Sequence, residues 1–132
     1  MITEIRAQDG ARDLFALLID IEESSGGTVP VTDPSWSLQL LVMNRTKGHV
    51  VRKHMHKKLS KSSSQPMEAM VVVRGEIQVN IFDRKGVLLA KQAVRAGQCL
   101  LIVDGAHEVV FKKNALVYGF KDGPYIEDKI AL

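Results

Sequence analysis

The sequence predicts an all-β fold, and two observations lead to that prediction. Glycine, at ten residues, interrupts the chain at short intervals, and most of the segments between are brief and rich in Val, Ile, Leu and Phe. A four-residue turn closed by Gly86 separates two such segments, which is the clearest β-hairpin signal in the chain. Short strands with turn signals about every 8–12 residues are typical of a β-sandwich or a β-barrel.

The pattern predicts ten short strands. Residues 14–21 fit both a helical stripe and strand alternation, and the β-rich surroundings favour a strand. Residues 22–36 contain two glycines and two prolines, which predicts a loop with room for one edge strand. The predicted strands are residues 2–6, 14–21, 37–44, 49–56, 68–74, 76–82, 87–93, 99–103, 107–111 and 115–120.

Length and composition exclude several classes of protein. A chain of 132 residues has the size of one compact domain, so we expect a single domain over residues 1–132. With 45% hydrophobic and 25% charged residues, the chain has an ordinary globular composition rather than a disordered one. The longest apolar run, Leu14–Ile19, is far shorter than the roughly 20 residues of a membrane helix.

The remaining composition points to the cytoplasm. The chain opens without a basic segment followed by an apolar one, so we expect no secretory signal. Cys99 is the only cysteine, which excludes an intrachain disulfide and suits a reducing compartment. The net charge of +3 is too small to indicate a nucleic-acid partner.

Three of the four histidines and one glutamate are candidate metal ligands. His54 and His56 are two residues apart on a predicted strand, which would direct both imidazoles to one face, although surface pairs of this kind are common. Glu68 and His107 each begin an apolar strand, where a buried polar group is costly unless it is paired or ligated. Three imidazoles and one carboxylate suit a divalent transition metal such as Mn, Fe, Ni or Zn. The competing interpretations are an ion pair of Glu68 with a nearby arginine and a hydrogen-bonded His107 in a turn.

Two motifs can be recognised around these residues. The positions that form them are Gly48-x5-His54-x-His56, Glu68-x6-Gly75, Gly97 and His107. They resemble the two motifs of the cupin family, a small jelly-roll barrel (a double-stranded β-helix) that holds one metal. The resemblance implies that His54, His56, Glu68 and His107 are the metal ligands, and it extends to short single-domain bacterial cupins, some of which occur among sugar and polysaccharide genes.

The sequence departs from the cupin pattern in two places. Eleven residues separate His56 from Glu68, where the common motif has three or four, and the excess is the Ser-rich loop Lys57–Pro66. The proline usual before the last histidine is missing from Val103–His107. The loop is interpreted either as a solvated connection or as a lid that recruits an anionic ligand.

Three further residues are candidates for binding a ligand. By strand parity, Arg52 and Arg74 share a face with the predicted ligands, so both are candidates for anion recognition. Arg52 inside a barrel would need a carboxylate partner or an anionic substrate, unless a local bulge turns it outward. Tyr125, after a Gly-Pro pair, is expected either to pack at the mouth of the barrel or to hydrogen-bond a substrate.

The strand predicted over residues 68–74 is apolar on both faces. A strand of that kind is usually covered on both sides. In a barrel with one core the second cover would be another subunit, so the sequence predicts a homodimer.

Two functions remain open at this level. The first is a metal-dependent enzyme, an isomerase, epimerase or dioxygenase, acting on a small oxygenated substrate such as a sugar or nucleotide sugar, with Glu68 as an exchangeable ligand and base. The second is a non-enzymatic module that binds a sugar or carboxylate through the same metal. A metal-free epimerase of the same barrel would not need the full ligand set.

Overall fold

The computed structural model describes residues 1–20 and 26–132, and these residues form ten strands in three antiparallel sheets. The all-β prediction is therefore confirmed. No helix among these residues is long and apolar enough to cross a membrane. The strands are β1 (Ile2–Arg6), β2 (Leu14–Asp20), β3 (Gly27–Pro30), β4 (Leu41–Asn44), β5 (Glu68–Arg74), β6 (Glu76–Phe82), β7 (Leu88–Arg95), β8 (Gln98–Ile102), β9 (Ala106–Val110) and β10 (Leu116–Lys121).

Two of the sheets pack face to face. The larger sheet has the order β1-β2-β8-β5-β10, and the smaller one has the order β7-β6-β9. Alternation in these strands sends one set of apolar side chains into the space between the sheets. This inner core includes Met70 and Leu100 from the larger sheet and Ile77, Val79 and Ile81 from the smaller one, each at most 4% exposed. The described sheets are open at their edges, so closure into a jelly-roll barrel stays a prediction.

The other face of the larger sheet is covered by the same chain. This outer core contains Leu17, Ala69 and Leu101 from the sheet, and its cover includes Trp36 and Val42 from the region of β3, β4 and their connection. The second cover, predicted to be another subunit, is therefore a segment of the same chain. The apolar outer face of β5 therefore gives no reason to expect a dimer, and the homodimer stays a prediction.

Eight of the predicted strands match observed strands to within two residues at each end, except that residue 21 of the second lies outside the described residues. The edge strand allowed within residues 22–36 is β3, which pairs with β4. Two predictions need correction. The strand predicted over residues 37–44 begins only at Leu41, and residues 49–56 are irregular and fully on the surface. A strand needs a partner edge, and residues 49–56 have none among the described residues, although their composition suits one.

A crowded glycine sets the turn that leads into β9. Gly105 has a positive φ of 76°, and a side chain there would collide with the carbonyl oxygen of Phe82 and the ring of Phe15. Gly86 has a similar φ of 86° but open space around it. This turn places His107 two residues further on.

We expect Gly105→Ala to lower the free energy of unfolding by more than Gly86→Ala does. Both variants carry the left-handed backbone cost of about 1–2 kcal/mol, and only Gly105→Ala adds a collision with a backbone oxygen and an aromatic ring. Urea denaturation of the two variants beside the wild type measures the difference. Equal losses would mean that Gly105 is not crowded.

Candidate functional site

A glutamate and a histidine meet between the two packed sheets. Glu68 begins β5 in the larger sheet, and His107 lies in β9 of the smaller sheet. Nε2 of His107 is 3.1 Å from Oε2 of Glu68, and the two side chains are 29% and 27% exposed. The structure therefore brings together two of the four predicted ligands, in a partly buried position.

The register of the strands holds this pair in place. Glu68 lies opposite Ile102 of β8 and Lys121 of β10, and His107 lies opposite Ile81 of β6. Among the described residues Glu68 forms no ion pair with an arginine, which was the competing interpretation. The partner of Glu68 is His107.

The charge of Glu68 is stabilised by its surroundings. The hydrogen bond with His107 lowers the pKa of the Glu68 carboxyl, partial burial opposes that shift, and the positive charges of His107, Lys121 and Lys129 add to the lowering. Glu68 is therefore a carboxylate at neutral pH. In that state it is a hydrogen-bond acceptor and a potential metal ligand.

The lowered pKa predicts how the pair contributes to stability as the pH changes. Because the pKa is lower in the folded state, the contribution is fully present above the ordinary value of 4.5 and is lost as the pH falls through the folded-state pKa. We expect the difference in unfolding free energy between the wild type and Glu68→Gln to shrink as the pH falls below that value. Urea denaturation across a pH series measures it, and a difference that grows on acidification would contradict the assigned direction.

His54 and His56 form a second pair away from the first. Their ring centroids are 5.0 Å apart in an edge-to-face arrangement, and Nδ1 of His54 is 2.8 Å from the carbonyl oxygen of Arg52. Both side chains are exposed on the irregular segment. The described residues contain no group of three or more His, Cys, Asp or Glu that could hold a metal ion. The donor types suit a transition metal, but the folded arrangement unites them only in pairs, and the four-ligand set stays a prediction.

The three predicted ligand-binding residues all lie on the surface. Arg52 is exposed, and no ion pair involves it among the described residues, so it has the outward position of the two that the sequence left open. Arg74 is also exposed, at the end of β5 where the pairing with β10 shifts register. Tyr125 is 77% exposed and donates a hydrogen bond of 2.7 Å to Glu127, so it does not pack at the mouth of a barrel.

A network of polar side chains that was not predicted from the sequence joins β6 to β9, the strand that carries His107. Asn80 of β6 donates to Oε1 of Glu108 at 2.7 Å, and it accepts from Gln78 at 2.8 Å. Lys112 donates to the Gln78 side-chain oxygen at 2.7 Å. The alternation of Gln78 and Asn80 between apolar neighbours was the available signal, and the network fixes β9 against β6.

A second network fixes the turn before β9. Arg84 donates to Asp104 and, at 3.3 Å, to Asp13, and its guanidinium lies 5.3 Å from the centre of the Phe15 ring. These contacts join the β6–β7 turn to the turn that carries Gly105. The two networks therefore anchor β9, the strand that carries His107, at Glu108 and at the turn that precedes it.

Cys99 is buried in the core, and the Ser-rich loop lies on the surface. Cys99 is 1% exposed, and burial raises the pKa of its thiol to about 11, so little of it is thiolate at neutral pH. The loop Lys57–Pro66 is exposed throughout, but Gln65 at its end donates to the carbonyl oxygen of Val103 at 2.8 Å. The end of the loop is thus tied to the chain just before the turn into β9.

No protein-family model, curated protein or solved structure matches this chain. The cupin resemblance therefore depends on the motifs themselves.

Proposed function

We propose that this chain is a metal-binding cupin that takes a small oxygenated ligand such as a sugar or nucleotide sugar. The observation that supports it most is the Glu68–His107 pair, with 3.1 Å between its nitrogen and oxygen. A carboxylate and an imidazole are two of the donor types that transition metals accept, and here they come from facing sheets. On this proposal the pair is the fixed half of the metal site.

The other half is the His-x-His segment at residues 49–56. In the described residues β9 pairs with β6 along one edge, and its second edge carries no strand. Residues 49–56 have the composition of a strand and no strand partner among those same residues. Addition of the segment to the free edge of β9 would satisfy backbone hydrogen-bonding groups of the segment and of β9. An exposed strand edge is a template for pairing of this kind.

One antiparallel register suits both the ligands and the charges. If His54 lies opposite His107, Lys53 lies opposite Glu108 and Val51 lies opposite Val110. Opposite charges and β-branched pairs across two strands are favourable. A slip by one residue would turn the two segment histidines away from Glu68, so the requirement for ligands specifies the register.

The charge of the segment favours an anionic ligand. Arg52, Lys57 and Lys58 are all exposed close to the two histidines in the sequence. A concentration of positive charge raises the local concentration of anions. A nucleotide sugar or another phosphorylated sugar fits this better than a neutral one.

A non-enzymatic module that binds the ligand through the same metal is the second candidate function. The placement of Glu68 supports it, because a carboxylate 3.1 Å from an imidazole nitrogen can serve as a metal ligand without any proton transfer.

Elemental analysis after anaerobic reconstitution tests the metal site. We expect one transition metal per chain in the wild type and a large loss in Glu68→Gln and in His107→Gln. Glu76→Gln is the matched control, because Glu76 is an ion-paired glutamate (2.9 Å to Arg95) outside the proposed site. A wild-type protein that holds no stoichiometric metal would overturn the proposal.

A screen of the metal-loaded protein against sugar nucleotides separates the two functions. Turnover that is lost on chelation identifies an enzyme. A thermal shift without turnover identifies a binding module.

A further inference from the structure

β10 is an outer strand of the larger sheet with an apolar face left uncovered. It pairs with β5 on one side, and its other edge has no partner strand among the described residues. Alternation places Leu116, Tyr118 and Phe120 on one face, where they are 36%, 56% and 52% exposed. A free edge with large apolar side chains is a template for pairing with another strand.

We infer that β10 pairs with β10 of a second copy of the chain, antiparallel, about a two-fold axis through Tyr118. The result would be a continuous sheet of ten strands across the dimer, because each larger sheet contributes five. This inference does not depend on metal binding. It also gives the predicted homodimer a different interface from the outer face of β5.

The pattern of side chains in β10 suits a copy of itself. Residues directly opposite each other in an antiparallel pair point to the same face, so the two-fold axis can pass through a residue position. With the axis at Tyr118, that tyrosine meets its symmetry mate and Leu116 meets Phe120 on either side. Aromatic and aliphatic pairs of this kind are the favourable cross-strand contacts, and an isologous interface requires such self-complementarity.

The charges at the two ends of β10 are complementary in this arrangement. Lys112 and Lys113 precede the strand, and three acidic residues (Asp122, Glu127 and Asp128) and one basic residue (Lys129) follow it. Asp122 and Glu127 also accept hydrogen bonds within the chain, from Met67 and Tyr125. In an antiparallel pair the basic entrance of one strand lies beside the acidic exit of the other. Lys121 lies opposite the small Ala115, so no like charges meet directly across the strands.

The exposed surface of β10 alone is too small for a stable interface. Tyr118 and Phe120 are half exposed, so each adds roughly 100 Å² of buried surface. A stable interface buries about 800 Å² per partner, which the strand alone does not reach. Tyr125, Ile126 and Ile130 lie in the segment after the strand and are between 73% and 84% exposed, so the inference requires this segment to contribute the remaining apolar surface.

Charge variants at position 118 test the inferred axis. Since the residue meets its own copy, Tyr118→Lys and Tyr118→Glu each place like charges together and should raise the dissociation constant of the dimer about tenfold or more. A mixture of the two variants should restore a one-to-one heterodimer, which only pairing about residue 118 predicts. Val87→Lys is the control, because Val87 is 57% exposed in a turn remote from β10.

Sedimentation velocity and light scattering measure the oligomeric state of the wild type, of each variant and of the mixture. A wild-type dimer, two monomeric charge variants and a mixed heterodimer would support the inference. A monomeric wild type at micromolar concentration, or a dimer that both charge variants leave unchanged, would overturn it. Circular dichroism of each variant separates loss of pairing from loss of folding, and Tyr118→Ser provides a milder variant if either charged one unfolds.

Discussion

Replacing both His54 and His56 by glutamine is expected to weaken metal binding by more than about 100-fold. Loss of a residue that only supports a metal ligand already costs about 10–100-fold in affinity, and this change removes two proposed ligands. Both side chains are exposed on the surface, so the variant should fold like the wild type. Titration calorimetry with a divalent transition metal measures the change.

His49→Gln is the matched control for that experiment. His49 is exposed on the same segment, and in the proposed register its side chain points away from Glu68. We expect its metal affinity to equal that of the wild type. If His49→Gln weakened binding as much as the double variant, all three exposed histidines of the segment would bind the metal together. That result would contradict a defined site made of His54, His56, Glu68 and His107.

Leu101→Ala is expected to lower the free energy of unfolding by about 2–5 kcal/mol, the usual cost of a cavity at a fully buried leucine. Leu101 is 0% exposed in the outer core, where it lies opposite Leu17 of β2 and Ala69 of β5. The size of the loss tests whether the chain alone covers the second face of its larger sheet. Chemical denaturation with two independent probes measures it.

Two leucines serve as comparisons for that variant. Leu100→Ala removes a side chain that is 0% exposed on the inner face of the same strand, and it should cost a similar amount. Leu88→Ala, at 45% exposed, should cost much less. A cost for Leu101→Ala as small as that for Leu88→Ala would mean that the outer core is loosely covered.

The strands that sequence reasoning located correctly are those whose apolar residues are buried in the fold. β5, β6 and β8 carry nearly continuous or alternating apolar residues, and their burial follows that pattern closely. Residues 49–56 have a similar composition but no partner edge, and strand formation depends on long-range pairing that local composition does not encode. The second cover of β5 was assigned to another subunit for a related reason, because the pattern of a strand reveals that it is covered but not by which segment.

Part of the candidate site was also within reach of the sequence. Glu68 and His107 were identified because polar residues at the start of apolar strands need partners, and the structure pairs them with each other. Their distance to His54 and His56 depends on the path of the segment, which no local pattern specifies. Strand parity alone did not decide between the two positions left open for Arg52, because parity has no meaning in the irregular segment where Arg52 lies exposed.

X-ray absorption spectroscopy of the zinc-loaded wild-type protein tests the central proposal most directly, because multiple scattering from imidazole rings counts the histidines bound to the metal. If the segment at residues 49–56 joins Glu68 and His107, the spectrum should contain three imidazole nitrogens and carboxylate oxygen in the first shell. A single imidazole would contradict the proposal, because it would leave His54 and His56 outside the metal site.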